Sequence, residues 1–284
     1  MKVYDVDLYD YFKVKKPDGG EGILTCYISD IAKEVNENRK SPAMLVLPGG
    51  GYAYTSYREA EPIALRYSAF GFKSFVLHYS VAPIKFPYSI TETVMAMNYI
   101  RLNAEELKID PEKVTAVGFS AGGHLCAMLG SYADGKEVKE LFTPKTNSKP
   151  NAVILSYPVI TSTGKAHFGS FNNLCGEENE ELKLKLSIEN FIDKDSAPAF
   201  IWATYDDGVV PIKNSLVVAT AYDNAGVPFS LHIYGKGWHG NSLGDRTVYG
   251  NTFEDARNNA SVSIGEWVRL SIEWLEELGL YIKD

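Results

Sequence analysis

The sequence is poor in cysteine. It holds three in 284 residues, Cys26, Cys126 and Cys175, widely spaced and with no CxxC or Cys/His ligand pattern. That excludes a disulfide framework and fits three reduced thiols in a reducing compartment. It gives no reason to expect a metal or other cofactor. Also missing is any apolar run near the roughly 20 residues that a membrane-spanning helix needs. The opening stretch, MKVYDVDLYDYFKVKK, carries Asp5, Asp7 and Asp10 and no apolar core, so it does not read as a secretory leader. A cytoplasmic chain with no membrane partner is the expectation. Positive charge is short as well: 28 Lys and Arg against 36 Asp and Glu give a net charge of -8. Such a surface repels phosphate backbones, which excludes nucleic acid as a natural partner and disfavours polyanionic substrates.

Internal repeats and low-complexity linkers are absent too. What is present is ordinary for a folded chain, with 45% hydrophobic and 23% charged residues. One core can serve a chain of this length, so 1–284 is expected to be a single domain. Short β-rich runs alternate with longer stretches of helical period, which predicts βαβ units and a mostly parallel sheet with helices on both faces. Residues 3–14 and 22–29 read as an antiparallel hairpin around Pro17–Gly20. Further strands are expected at 43–47, 72–79, 114–118, 153–157, 198–205 and 227–234. Helices are expected at 59–70, 91–107, 121–131, 212–225 and 264–278. Residues 160–195 are irregular and read as a small cap-like insertion over the site.

The segment Gly118-Phe119-Ser120-Ala121-Gly122 fits G-x-S-x-G, with a strand before it and a helix after it, as that motif requires. The turn is sharp, and small residues on each side of the serine let strand and helix approach. It lifts the hydroxyl out of the sheet and aims the free N–H groups of the helix start at the reacting carbon.

A serine hydroxyl needs a base. Of five histidines, His78 and His232 lie inside strand patterns. His124 sits on the helix below Ser120 and suits a structural hydrogen bond, and His167 falls in the irregular insertion. His239 follows the last strand in Gly235-Lys236-Gly237-Trp238-His239-Gly240, a loop beyond a strand end, and is the candidate base. The orienting acid should follow the preceding strand. Asp206 and Asp207 both do. Asp207 is preferred because Asp-x-Val-Val-Pro opens the next helix with Pro211 near its first turn, while Asp206 is suited to accept loop N–H bonds. Oxyanion donors are expected from the N–H groups of Ala121 and of Gly50 and Gly51, in the glycine run after an early strand.

Several segments resemble the bacterial acetylesterase and acetyl-xylan-esterase-like group of α/β-hydrolases, near the hormone-sensitive-lipase-like esterases. They are Leu47–Tyr52, Tyr79-Ser80-Val81-Ala82-Pro83, Ile109–Pro111, Gly118–Leu125, Thr204–Pro211 and Gly237–Gly240. The resemblance runs from about residue 43 to 240. It implies the α/β-hydrolase fold and hydrolysis of short acyl esters, often acetyl groups on sugars, without a cofactor. The partner is then a small-molecule ester. Ser80 departs from the group's usual Arg, Ala203 stands where relatives often carry His, and Pro48 replaces the His of the lipase-like relatives. These departures leave substrate choice open. So do two rival readings, an amide-cleaving relative and a hydrolase-fold binding protein that has lost catalysis. A homodimer is compatible with all of them.

Overall fold

The computed structural model describes residues 1–282 except 31–32, 37, 250–257, 259 and 262. Among these residues eight strands share one sheet: β1 (Lys2–Asp7), β2 (Ile23–Ile28), β3 (Ser41–Leu47), β4 (Lys73–His78), β5 (Ile109–Phe119), β6 (Ala152–Ser156), β7 (Ala199–Thr204) and β8 (Phe229–Tyr234). Their order is β1-β2-β4-β3-β5-β6-β7-β8. The first two strands and the β2–β4 pairing are antiparallel, and every later pairing is parallel.

Parallel strands covered on both faces read as continuous apolar runs, and β3 shows why. Ala43, Leu45 and Leu47 pack on one face, with the helices Tyr88–Leu102, Ala121–Tyr132 and Lys213–Ala225. Met44 and Val46 pack on the other, with the helices Glu61–Ser68 and Trp267–Glu277. On that second face Trp202 and Trp267 stack at 5.2 Å. Burying a large apolar side chain of this kind contributes about 1.5–3 kcal/mol, so the two faces together hold the sheet in place.

Local differences from the sequence reading have local causes. The first arm is a strand only as far as Asp7. There the Asp7 carboxylate accepts from the N–H groups of Tyr9 (3.0 Å) and Asp10 (3.2 Å) and starts a helix over Leu8–Phe12. Leu8 and Phe12, four apart, both enter the core. The helix expected over 91–107 runs from Tyr88 to Leu102. It stops where the Asn103 amide donates to the Tyr99 carbonyl at 2.7 Å. The helix expected from 59 opens as a 3₁₀ turn, Tyr57–Glu59, before Glu61–Ser68.

Strand order reverses between β3 and β5. The chain moves outward to β4 after β3, and outward the other way through β6, β7 and β8 after β5. Ligands of such sheets bind beyond the carboxyl ends of the strands at this reversal. The loop Pro48–Gly51 and Ser120 sit there.

Candidate active site

β5 runs directly into Ser120, and the helix Ala121–Tyr132 begins at the next residue. Ser120 has φ 53° and ψ −117°, a conformation that costs a residue with a side chain about 1–3 kcal/mol. The flanking glycines make the turn sterically possible. A Cβ on Gly122 would lie 2.2 Å from the Leu47 carbonyl oxygen, and one on Gly118 would lie 2.1 Å from the Gly122 oxygen. The hydroxyl is thereby presented at the start of a helix whose first N–H groups have no partner inside the helix.

The other two groups come from the two strands at the sheet's far edge. His239 lies in the loop after β8, and its Nε2 is 2.7 Å from Ser120 Oγ. Its Nδ1 is 2.7 Å from Asp207 Oδ2. Asp207, after β7, is 1% exposed at its side chain. Its second oxygen accepts from the N–H groups of Val209 and Val210, both at 2.9 Å. Those two bonds fix the carboxylate at the start of the following turn. Asp206 points elsewhere and accepts from the Gly237 N–H at 2.7 Å, which ties down the base of the histidine loop.

On the opposite side of Ser120 lies Pro48–Gly51. Gly50 has φ 125°, a value open to glycine and to few other residues. The loop is held by bonds at both ends. The Tyr79 hydroxyl donates to the Pro48 carbonyl at 2.6 Å, and the Asn173 amide donates to the Gly51 carbonyl at 2.8 Å. Gly50, Gly51, Ser120 and His239 line one open cavity of about 710 Å³ together with Tyr54, Tyr57, Arg58 and His167. Ala121 is buried directly behind Ser120.

The stretch 160–195 contributes to this cavity through His167, Gly169 and Asn173. The stretch forms the helices Phe168–Cys175 and Glu180–Lys185 and sends Phe171, Leu174, Leu186 and Ile188 into the core. His167 thus faces the site. Its Nδ1 is 2.8 Å from the Ser170 hydroxyl, and burial lowers its pKa, with the nearby His239 adding to that effect.

The remaining histidines have other partners. His124 is buried, with Nε2 2.8 Å from the Leu186 carbonyl and Nδ1 2.8 Å from the Tyr52 hydroxyl. Its Nε2 must donate, so Nδ1 accepts from Tyr52. Burial pushes its pKa down to about 4. His78 neighbours the Thr55 hydroxyl, and His232 stacks on Phe200 at 4.7 Å.

Two residues of the site carry no sequence signal. Glu59 is 3% exposed and lies under the glycine loop, and Tyr157, 1% exposed, lies beside His239. Glu59 occupies an ordinary helix-start position and Tyr157 an ordinary strand end. Only the folded chain shows that they meet. A larger groove of about 810 Å³, lined by Ile192, Ile212 and Leu216 among others, lies away from Ser120 and holds no nucleophile–base pair. Among the described residues no group of His, Cys, Asp and Glu is arranged to hold a metal ion, and no helix is long and apolar enough to cross a membrane.

The BD-FAE family model matches residues 29–222. Endo-1,4-beta-xylanase B of Butyrivibrio fibrisolvens is 36% identical over 213 residues, which cover 72% of this chain and 33% of that protein. An acetylxylan esterase of Xylanibacter ruminicola is 29% identical over 280 residues, 96% of this chain and 50% of that protein. The chain therefore spans half or less of the length of these two relatives. Among solved structures, the acetyl ester-xyloside bifunctional hydrolase from Caldicellulosiruptor lactoaceticus superposes with a TM-score of 0.82 at 31% identity, over 98% of this chain and 97% of that one. The mostly parallel sheet with helices on both faces is the α/β-hydrolase fold expected from the sequence.

Proposed function

This chain belongs to the BD-FAE family, and we propose that it is a serine carboxylesterase that removes short acyl groups, acetyl above all, from sugars. The observation that carries the reading is the continuous contact Ser120–His239–Asp207, 2.7 Å at each step. A hydroxyl within hydrogen-bond reach of an imidazole that is itself oriented by a buried carboxylate is an activated nucleophile.

His239 Nε2 takes the proton as Ser120 Oγ bonds to the ester carbonyl carbon. The carbonyl electrons move onto oxygen, and the N–H groups of Gly50, Gly51 and Ala121 receive the resulting oxyanion. Collapse breaks the carbon–oxygen bond to the alcohol, which leaves with the proton from His239. Water then gives a proton to His239 and its oxygen to the acyl carbon. The acid departs and Ser120 regains its proton. Asp207 keeps the imidazole in the tautomer that presents Nε2 to serine and stabilises the imidazolium between transfers.

The sugar moiety is supported by the cavity mouth. Tyr54 and Tyr57 are exposed there, next to the polar side chains of Arg58, His167 and Asn173. Exposed aromatic faces beside hydrogen-bonding groups suit a pyranose ring. Relatives named acetylxylan esterase and acetyl ester-xyloside hydrolase support the same substrate class. The shared sheet supports a single hydrolase domain in which 160–195 shapes the cavity rim. Three free, buried cysteines suit a cytoplasmic setting.

The test is hydrolysis of p-nitrophenyl esters from acetate to octanoate, with Ser120→Ala as control. Acetate is expected to be fastest, and the variant should lose about 10⁶ in kcat. A wild type inactive on every chain length, or an Ser120→Ala protein as active as wild type, overturns the reading.

A further inference from the structure

The nucleophile sits between two loops that are distant in sequence. One, 48–51, carries oxyanion donors, and the other, 235–242, carries the base. The loops must keep a fixed separation, because both act on one carbonyl group. Two buried side chains in series, Glu59 and Tyr157, span them. One oxygen of Glu59, Oε2, accepts from the Gly49 N–H at 2.9 Å. The other, Oε1, accepts from the Tyr157 hydroxyl at 2.6 Å. That hydroxyl in turn accepts from the Ser242 N–H at 3.0 Å, three residues beyond His239. Ser242 closes the circuit, since its hydroxyl donates to the Arg58 carbonyl at 2.7 Å. The Tyr157 ring meets the His239 ring edge-on, with centroids 5.1 Å apart.

The carboxylate is packed into its place. A methyl group on Gly49 would lie 2.7 Å from Glu59 Oε2 and 3.0 Å from Ser120 Cβ. Resting on the esterase reading, we propose that Glu59 is a positioning residue that sets the distance between the oxyanion loop and the histidine loop, with Tyr157 as its relay. It also places a second negative charge near the imidazole, beyond Asp207.

Burial raises the pKa of Glu59, while Tyr157, Gly49, His239 and Arg58 pull it back. The groups around the imidazole are Asp207 and Ser120 in direct contact, Tyr157 at its edge, and His167 and Glu59, which line the same cavity. Tyr79, which also feels the Glu59 charge, is a neutral phenol pushed further up by its burial. A negative charge at Glu59 favours the protonated imidazole. Removing it moves the acid limb of the rate profile to lower pH, and cutting the relay acts in the same sense, because the bond from Tyr157 is one of those that pull the Glu59 pKa down.

The experiment compares wild type, Ser120→Ala, Glu59→Gln and Tyr157→Phe on p-nitrophenyl acetate across pH, with thermal unfolding recorded for each. Tyr157→Phe is expected to lower kcat about tenfold or more, with KM little changed, as misplacement at a reacting centre does. Glu59→Gln is expected to lower kcat similarly and to move the acid limb of kcat/KM to lower pH. Should Glu59→Gln fail to fold, Tyr157→Phe alone decides, because it removes a single oxygen atom and leaves the rest of the network in place. An active wild type and a dead Ser120→Ala, alongside folded Glu59→Gln and Tyr157→Phe proteins with wild-type kcat and pH limbs, overturn the proposal and leave the esterase reading standing. An inactive wild type overturns the esterase reading instead.

Discussion

The centre of the sheet and its far edge build their halves of the site by different means. At the centre, between β3 and β5, position is set by contact of backbone on backbone. Gly118, Gly122 and the Leu47 carbonyl are so close that no side chain fits between them. At the edge, after β7 and β8, position is set by hydrogen bonds spanning long stretches of chain. His239 meets Asp207 over 32 residues and Ser120 over 119. The lesson is that Ser120 is held by sterics and His239 by a polar network. The first should fail by unfolding and the second by losing rate.

Asp207→Asn sharpens that contrast most. The amide keeps the shape of the side chain and can keep the bonds from Val209 and Val210, but it cannot hold the imidazole in the productive tautomer. A drop of about 10⁴ in kcat is expected, with the thermal midpoint close to wild type. Asp206→Asn is the matched control, because its contact is with the Gly237 N–H and not the imidazole. Equal losses in the two variants would break the assignment of Asp207 as the orienting acid.

Gly122→Ala tests the other half. The added methyl would meet the carbonyl oxygens of Leu47 and Pro48 at 2.2 and 2.3 Å. Neither oxygen can move without disturbing β3, which is buried on both faces. Overpacking of a core costs about 1–3 kcal/mol where side chains can yield, and here the obstacle is backbone, so about 3 kcal/mol or more is expected in urea unfolding. A variant of wild-type stability would show that the elbow is not held by steric contact.

The same division explains what could be read from the sequence. The elbow was legible because five adjacent residues carry its geometry. The strand β3 and the second half of β5 are legible because burial on both faces leaves a run of apolar residues, whereas the first half of β5, Ile109-Asp110-Pro111-Glu112-Lys113, is mostly polar and partly exposed and carries no such run. The preference for Asp207 over Asp206 rests on the grammar of the turn at Pro211, which is also local. Glu59 was not legible, since its partners lie 10 and 98 residues away and no short pattern joins them. The helix at Leu8–Phe12 was hidden for another reason: its short run of alternating residues fits a strand as well as a helix, and the Asp7 cap decides between them.

A buried histidine at the centre offers the finest test of the comparison. His124 stands one helical turn past Ser120, as close in sequence as any histidine, yet its contacts are Tyr52 and Leu186. Its pKa in the folded chain is about 4, below the ordinary 6.5. Above pH 6.5 it is neutral whether the chain is folded or not. As pH falls from 6.5 towards 4 the unfolded chain gains a proton that the folded chain refuses, so stability is lost over that window. Linkage puts the loss at about 2 kcal/mol between pH 7.5 and pH 5. Glu92 works in the opposite sense. Burial raises its pKa to about 7, so its contribution is present at low pH and fades as pH rises from about 4.5 through 7. Wild type alone therefore mixes the two effects, and the difference between wild type and His124→Gln separates them, since glutamine can still donate to Leu186 and accept from Tyr52 without titrating. Urea unfolding of both proteins at pH 7.5 and pH 5 should show the wild type losing about 2 kcal/mol more than the variant. The acid limb of kcat/KM should be the same in both, because the imidazole that meets Ser120 is that of His239. Equal pH dependence of stability would mean that His124 is not held neutral in the fold. A shifted rate profile would mean that the centre and the edge are coupled through it.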